Sequence, residues 1–239
     1  MKADLKDPAS LEKGLNGCDA LYLNLQVGQD AKESDWCPER EGIDNALAAA
    51  KKAGVKRVGY LSSIIKDDPS FSDWWVYQVK KAAAEKVKKS GMAWTVFCPS
   101  CFMENLSNLQ IQNGKLMNIT GSKNKNYWIS GQDYGRMVAS AFKTDPAKNK
   151  EYWIQGPEAL DTVEVADQFL KNYTRQALKL QAAPLGMIKV ISLFSGAKMR
   201  YMVKIMGSVM KMPEPFKGEA AWKELAQPKD TIASFAKRL

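Results

Sequence analysis

Histidine is absent from the chain, and a whole set of mechanisms goes with it. No Ser-His-Asp or Cys-His nucleophile can be assembled, and no histidine-bearing zinc site. Proton transfer must use tyrosine, lysine, a carboxylate or cysteine. Cysteines are few: Cys18, Cys37, Cys98 and Cys101. Cys98-Pro-Ser-Cys101 has C-x-x-C spacing, but a zinc site needs a second pair, which Cys18 and Cys37 are not spaced to provide. A redox pair would need its thiols at a helix N-terminus, so a structural coincidence is the favoured reading and no metal is expected. No apolar run reaches eighteen residues, so no membrane-spanning helix is expected. The charged start MKADLKDPAS has no apolar stretch behind it and does not read as a signal peptide. A soluble, cytoplasmic protein is the expectation. A glycine-rich phosphate loop is also missing: no G-x-G-x-x-G or Walker pattern occurs. Gly14 and Gly17 close a helix instead of opening one after a strand.

What is present is a core-forming chain with its charge unevenly placed. Of 239 residues, 45% are apolar, enough for one large domain or a domain with an appendage. Lys171–Leu239 carries 13 Lys+Arg against 4 Asp+Glu, which accounts for the whole net charge of +9. No RNA-binding or helix-turn-helix signature accompanies this excess, so no nucleic-acid partner is expected. Met187–Met212 reads as one or two amphipathic helices broken near Gly196 or Gly207. Lysines opposite a Met/Leu/Ile stripe suit a membrane surface, but the same pattern serves a helix packed on its own domain, which is the favoured reading.

The first hundred residues alternate helix and strand. Asp7-Pro8 caps a short helix that stops at Gly17. Ala20–Leu25 reads as a strand, Glu39–Ala53 as a helix ending at Gly54, and Val55–Ser62 as a strand. Asp73–Lys89 reads as a long helix and Ala93–Cys98 as a strand stopped by Pro99. Helical crossovers of this length imply a parallel sheet covered on both faces, with Val55–Ser62 in its middle. Ligands bind such sheets beyond the carboxyl ends of the strands. Further on, Leu116–Thr120, Tyr127–Ser130 and Tyr152–Gln155 are short strand candidates. Asp133–Phe142 is a helix, and Asp161 with Glu164 forms a capping box. The expected class is α/β, a doubly wound, Rossmann-like parallel sheet with a smaller, mostly helical C-terminal region. Residues 1–110 would form the core, and 111–239 a substrate-side region interleaved with it.

Tyr77 and Lys81 stand four apart on the third helix and so share a face. A tyrosine hydroxyl can protonate a carbonyl oxygen when a neighbouring ammonium lowers its pKa. In a lysine-rich chain the same spacing also arises by chance. Ser62 and Ser63 end the preceding strand on the same rim. Trp74, Trp75, Phe102, Met103 and Trp128 could wall a pocket or could be plain core.

Several stretches together resemble the NmrA-like branch of the atypical short-chain dehydrogenases. These are Ala3-Asp4-Leu5 with Asp7, Leu11, Gly17 and Asp19-Ala20; Ala53-Gly54-Val55-Lys56-Arg57 with Tyr60-Leu61-Ser62-Ser63; Lys81, Glu85 and Ser90-Gly91 with Trp94-Thr95-Val96; Phe102-Met103-Glu104-Asn105; Asp133-Tyr134-Gly135-Arg136; and Trp222, Leu225, Pro228 and Thr231. The resemblance implies a dinucleotide cofactor, NAD or NADP. Asp4 and Leu5 would border its adenine, and Asn24, Leu25, Gln26 and Val27 would line it. Ser62, Tyr77 and Lys81 would face the nicotinamide, with Pro99, Ser100, Cys101, Phe102 and Asn105 closing over it. The family pattern begins with a strand, a glycine-rich loop, a helix and a second strand, so roughly fifty to sixty residues of it are not in this chain. An N-terminally truncated sheet is therefore expected, with an exposed edge at Ala20–Leu25 through which the chain could self-associate. The strand before Pro99 ends in Cys98 where the family usually has arginine.

Two functional readings follow. One is an NAD(P)H-dependent oxidoreductase reducing a small carbonyl or quinone, with Tyr77 as proton donor, Lys81 assisting and Ser62 and Ser63 beside them. The other is a non-catalytic regulatory or interaction module. A pocket holding Tyr77, Lys81 and Ser62 would favour the first; a packed Tyr77 would favour the second.

Overall fold

The computed structural model describes residues 2–72, 74–145, 147–211 and 213–239. The expected helix start at Asp73 and helix end at Met212 lie outside them. Along the chain come α1 (Pro8–Leu15), β1 (Ala20–Leu23), α2 (Ile43–Lys52), β2 (Arg57–Leu61), α3 (Trp75–Lys88) and β3 (Ala93–Pro99). They are followed by β4 (Ile111–Gln112), β5 (Lys115–Thr120), β6 (Asn126–Tyr127), α4 (Gly131–Lys143), β7 (Lys150–Ile154) and β8 (Ala159–Leu160). Then come α5 (Thr162–Asn172), β9 (Lys179–Pro184), α6 (Leu185–Leu193), α7 (Ala197–Lys211), α8 (Glu219–Glu224) and α9 (Ile232–Arg238). Two compact units result: Met1–Pro99 with Met137–Trp153, and Ser100–Arg136 with Ile154–Leu239. Among the described residues no helix is long and apolar enough to cross a membrane.

The first unit is built on a sheet of order β1-β2-β3-β7. β2 pairs in parallel with β1 on one side and β3 on the other, as the helix-strand alternation requires. β1 is the outermost strand of this sheet. α2 buries Ile43, Ala46, Ala49 and Ala50 on one face, and α3 buries Val76, Val79, Ala83, Ala84 and Val87. Ile43, Ala46, Ala83, Ala84 and Val87 among these form one core with Leu23, Val58, Tyr60, Val96 and Cys98 from the strands. Chain ends of the elements are set by local bonds. The Asp7 side chain accepts from the N–H groups of Ala9 and Ser10. Gly54, at φ +75°, lets the chain leave α2, and Val55 N–H returns to the Ala50 carbonyl at 3.0 Å. Val55 and Lys56 are thereby spent on closing the helix and joining Asp19, so β2 starts at Arg57, later than the apolar run suggests. The expected helix from Glu39 opens instead as a single π-helical turn, Pro38–Gly42, before α2.

The second unit has a core of Met103, Leu106, Leu116, Trp128, Val165, Phe169, Ile232 and Phe235. α5 carries the predicted Asp161–Glu164 capping box, and α9 is capped by Thr231. The Met-rich stretch divides into α6 and α7 at Gly196, one of the two expected breaks. β9 was not expected as a strand. It pairs in parallel with β5 from Lys179↔Lys115 to Pro184↔Thr120. Its residues, KLQAAP, are almost all exposed, so no alternating burial marks it in sequence.

Gly156 is required by close approach: a Cβ there would lie 1.6 Å from the Trp128 carbonyl oxygen. Gly135, within α4, has nothing within 4 Å of such a Cβ. Gly156→Ala should therefore destabilise the protein by about 2–4 kcal/mol in urea unfolding. Gly135→Ala should stabilise it by about 0.5–1 kcal/mol, since alanine loses less freedom in a helix.

Candidate active site

The loop after β2 and the first turns of α3 enclose a cavity of about 360 Å³ lined by Lys66, Asp67, Phe71, Tyr77 and Lys81, among others. Tyr77 is 6% exposed. The Phe71 ring lies 5.3 Å from it and the Trp74 ring 4.7 Å, nearly edge-on. Lys81 is 59% exposed along its side chain, and its ammonium is 3.4 Å from Asp67. Asp67 also pairs with the buried Lys66 ammonium. Burial works to raise the Asp67 carboxyl, but Lys66 and Lys81 outweigh it and hold the group below its ordinary value. Lys66 donates as well to Glu151 at 2.7 Å, and Lys88 pairs with Glu151 at 3.0 Å.

Tyr77 and Lys81 are thus brought together. Ser62 and Ser63 are not among the residues lining that cavity. The Ser62 N–H donates to the Phe97 carbonyl at 2.7 Å, continuing the β2–β3 ladder. Its hydroxyl is buried and has no hydrogen-bond partner among the described residues. Ser63 Oγ accepts from Ile65 N–H at 3.4 Å.

The other expected cofactor residues fall in both units. Asp4 and Leu5 line a cavity of about 480 Å³ with Trp36 and Ser10. Lys6 lies 4.9 Å over the Trp36 ring, and Asn45 donates to the Leu5 carbonyl at 2.8 Å. Asn24 and Gln26 are exposed, Leu25 is half-buried and Val27 is buried, beyond the carboxyl end of β1. Pro99 ends β3 and is buried. In the second unit Ser100 Oγ donates to Glu214 at 2.7 Å. Cys101 and Asn105 are half-buried, and Phe102 meets Tyr134 edge-on at 5.2 Å. Trp36, with Asp4 and Asp7, borders the cavity expected to take the adenine. No glycine-rich turn for its phosphates is in the chain. No group of three or more potential metal ligands occurs among the described residues.

The environment of the C-x-x-C pair disfavours the thiolate. All four cysteines are free. Burial pushes both the Cys98 and the Cys101 thiol up, with Glu151 and Glu214 respectively adding to it.

Two clusters have no sequence signal. Glu39, on the π-helical turn, accepts at Oε1 from Tyr60 Oη at 2.6 Å and Lys80 Nζ at 2.7 Å. Burial, then Glu39, pushes the Tyr60 phenol well up. Glu214 accepts from Ser100 Oγ, Gln155 Nε2, Tyr127 N–H and Asn126 Nδ2, and burial still raises its carboxyl. Their partners are tens of residues away in sequence, so only a fold could have paired them.

Glu151 supplies a pH test. Burial raises its carboxyl, but the hydrogen bonds from Lys66 and Lys88 prevail and hold it below its ordinary value. Its folded pKa is lowered, so its stabilising contribution is complete above the ordinary value near about 4.3 and is lost as pH falls through the lowered value. Glu151→Gln should cost about 1–3 kcal/mol at neutral pH and flatten the acid limb of urea stability against pH.

Residues 1–145 match the family described as NAD(P)H-binding. The chain is 29% identical over 169 residues to the NAD(P)H azoreductase of Xenophilus azovorans, covering 68% of this chain and 54% of that protein. It is 30% identical over 123 residues to cinnamoyl-CoA reductase 1 of Petunia hybrida, covering 41% of this chain and 37% of that protein. It therefore spans about half or less of the length of these curated relatives. Among solved structures it resembles the NADPH-dependent quinone oxidoreductase of Escherichia coli complexed with NADPH, at TM-score 0.75 and 19% identity, over 99% of this chain and 82% of that one. It also resembles the Citrobacter sp. triphenylmethane reductase complexed with NADP(H), at TM-score 0.73 and 16% identity, over 99% and 82%. The fold is the Rossmann-like one of these reductases, as the NmrA-like resemblance implies, and the chain belongs to the NAD(P)H-binding family.

Proposed function

We propose that the chain serves as an NAD(P)H-dependent reductase of a small carbonyl, quinone or related acceptor. The observation that carries this reading is the cavity shared by Tyr77 and Lys81 in the segment following β2. A nicotinamide cofactor, when bound, supplies hydride. Tyr77 donates its phenolic proton to the acceptor oxygen as negative charge develops there. Lys81 favours the phenolate left behind, and Asp67 holds the ammonium in place. Phe71 and Trp74 flank the phenol and keep bulk water from its ring face. Asp4 and Leu5 with Trp36 take the adenine.

The test is NADPH oxidation followed optically with a quinone and an azo dye. Millimolar cofactor suits a chain without a glycine-rich turn. Tyr77→Phe should lower kcat by about 10²–10⁴-fold and leave NADPH binding unchanged. Lys81→Met should lower kcat and raise the NADPH KM together. The aromatic packing around Tyr77 favours a second reading, a cofactor-responsive module without turnover. NADPH binding by fluorescence with no oxidation of NADPH, and no effect of Tyr77→Phe, would establish the module and remove the reductase.

We infer in addition that the outer edge of β1 lets the chain pair with a second copy, since an outermost strand carries unpaired backbone groups. Light scattering at low micromolar concentration should then show self-association. A monodisperse monomer melting cooperatively above about 55 °C would sink this.

A further inference from the structure

From Gln168 to Pro213 the sequence carries eight lysines and arginines and no aspartate or glutamate. This stretch forms the end of α5, then β9, α6 and α7. Within it α6 is apolar nearly all round, LGMIKVISL, with Lys189 its one charge. Its inner side, through Ile188 and Ile191, lines a cavity of about 170 Å³ with Met199, Met202 and Met206 of α7. The outer side stays open: Met187 is 56% exposed, Val190 58%, Leu193 70% and the following Phe194 88%. Scattered exposed leucines need no explanation, but a contiguous cluster on a helix that is apolar on both sides does. Exposed Lys179, Lys189, Arg200 and Lys211 belong to the same stretch, which has no carboxylate of its own.

The charge decides between occupants. A second copy packed two-fold on this face would bring the same cations against themselves. A partner with an anionic surface and an apolar layer beneath satisfies both features. We propose that α6 and Phe194 dock the protein on an anionic lipid bilayer. Met187, Val190, Leu193 and Phe194 enter the boundary between headgroups and acyl chains, and the lysines and arginines of the same stretch meet the headgroups. Neither signal suffices alone: a nine-residue helix buries little apolar area, and a basic patch is screened by salt. Together they give reversible attachment. The inference does not rest on the reductase reading.

Vesicle flotation with the full chain tests it, using phosphatidylcholine vesicles with and without about 30% phosphatidylserine at about 0.15 M salt. Association with the anionic vesicles is expected, weaker on phosphatidylcholine alone and reduced by higher salt. Leu193→Asp with Phe194→Asp should lower association at least about tenfold, as should Lys189→Glu with Arg200→Glu. All four positions are exposed, and thermal melts by circular dichroism confirm that the variants fold. No association with anionic vesicles, equal association with both vesicle types, or insensitivity to either double substitution overturns the proposal. So does an oligomer, seen by light scattering without lipid, that Leu193→Asp with Phe194→Asp abolishes, because that result assigns the face to another copy.

Discussion

Glu39 has no exposed side-chain surface, and its Oε1 takes hydrogen bonds from Tyr60 on β2 and Lys80 on α3. A carboxylate in a core is tolerated only when it is paired, so this one atom fixes three elements to each other: the π-helical turn before α2, β2 and α3. It also fixes the rotation of α3. Lys80 must face inward to reach Glu39. Each helical step turns about 100°, so Lys81 swings away toward Asp67, while Tyr77, three residues before Lys80, stays on the inner side. The two side chains of the proposed proton-transfer pair, about 40° apart round the helix, thus reach their cavity from one face of a helix whose orientation a third residue sets.

That division shows what could and could not be read beforehand. Helix and strand order in the first hundred residues was legible because each element carries its own local signal: Asp7 as cap, Gly54 as stop, the apolar face of Ile43, Ala46 and Ala50. The parallel sheet with β2 in its middle followed from crossover length alone. That Tyr77 and Lys81 border one cavity was legible because it is local, four residues on one helix. Glu39 with Tyr60, and Glu214 with Gln155, were not, since long-range burial joins them and no spacing records it. β9 escaped for a different reason. Its residues are exposed and its strand character comes from bonding to β5, not from any pattern of its own. The placement of Ser62 away from the lining of the Tyr77 cavity was equally invisible, because adjacency in the strand order does not fix where a hydroxyl points.

The second unit divides its acidic residues in a comparable way. Asp133 accepts from the N–H groups of Lys229 and Asp230, and Asp230 takes both guanidinium nitrogens of Arg238 at 2.7 and 2.8 Å. The segment that holds the carboxyl terminus of this unit is therefore laced by carboxylates. α6 and α7, built from the stretch without any, have none to contribute. The basic excess seen in composition thus falls on the same stretch of chain as the apolar surface of α6, while Arg238 near the terminus is matched by Asp230.

For the proposed reductase, the environments of the side chains narrow the candidate proton donors further than the absence of histidine alone allows. The thiols of the C-x-x-C pair are disfavoured as acids by environment, since burial and the carboxylates beside them raise both. Tyr60 is disfavoured too. It is fully buried, its hydroxyl is committed to Glu39, and burial with that carboxylate pushes its pKa up, so giving up its proton would put a second negative charge beside Glu39 in the core. Tyr77 differs in one respect that matters: it borders a cavity that also holds a lysine. A phenol can act as an acid only where the charge it leaves behind is welcome. Of these two buried tyrosines, Tyr60 has a carboxylate for its neighbour, and Tyr77 shares its cavity with an ammonium.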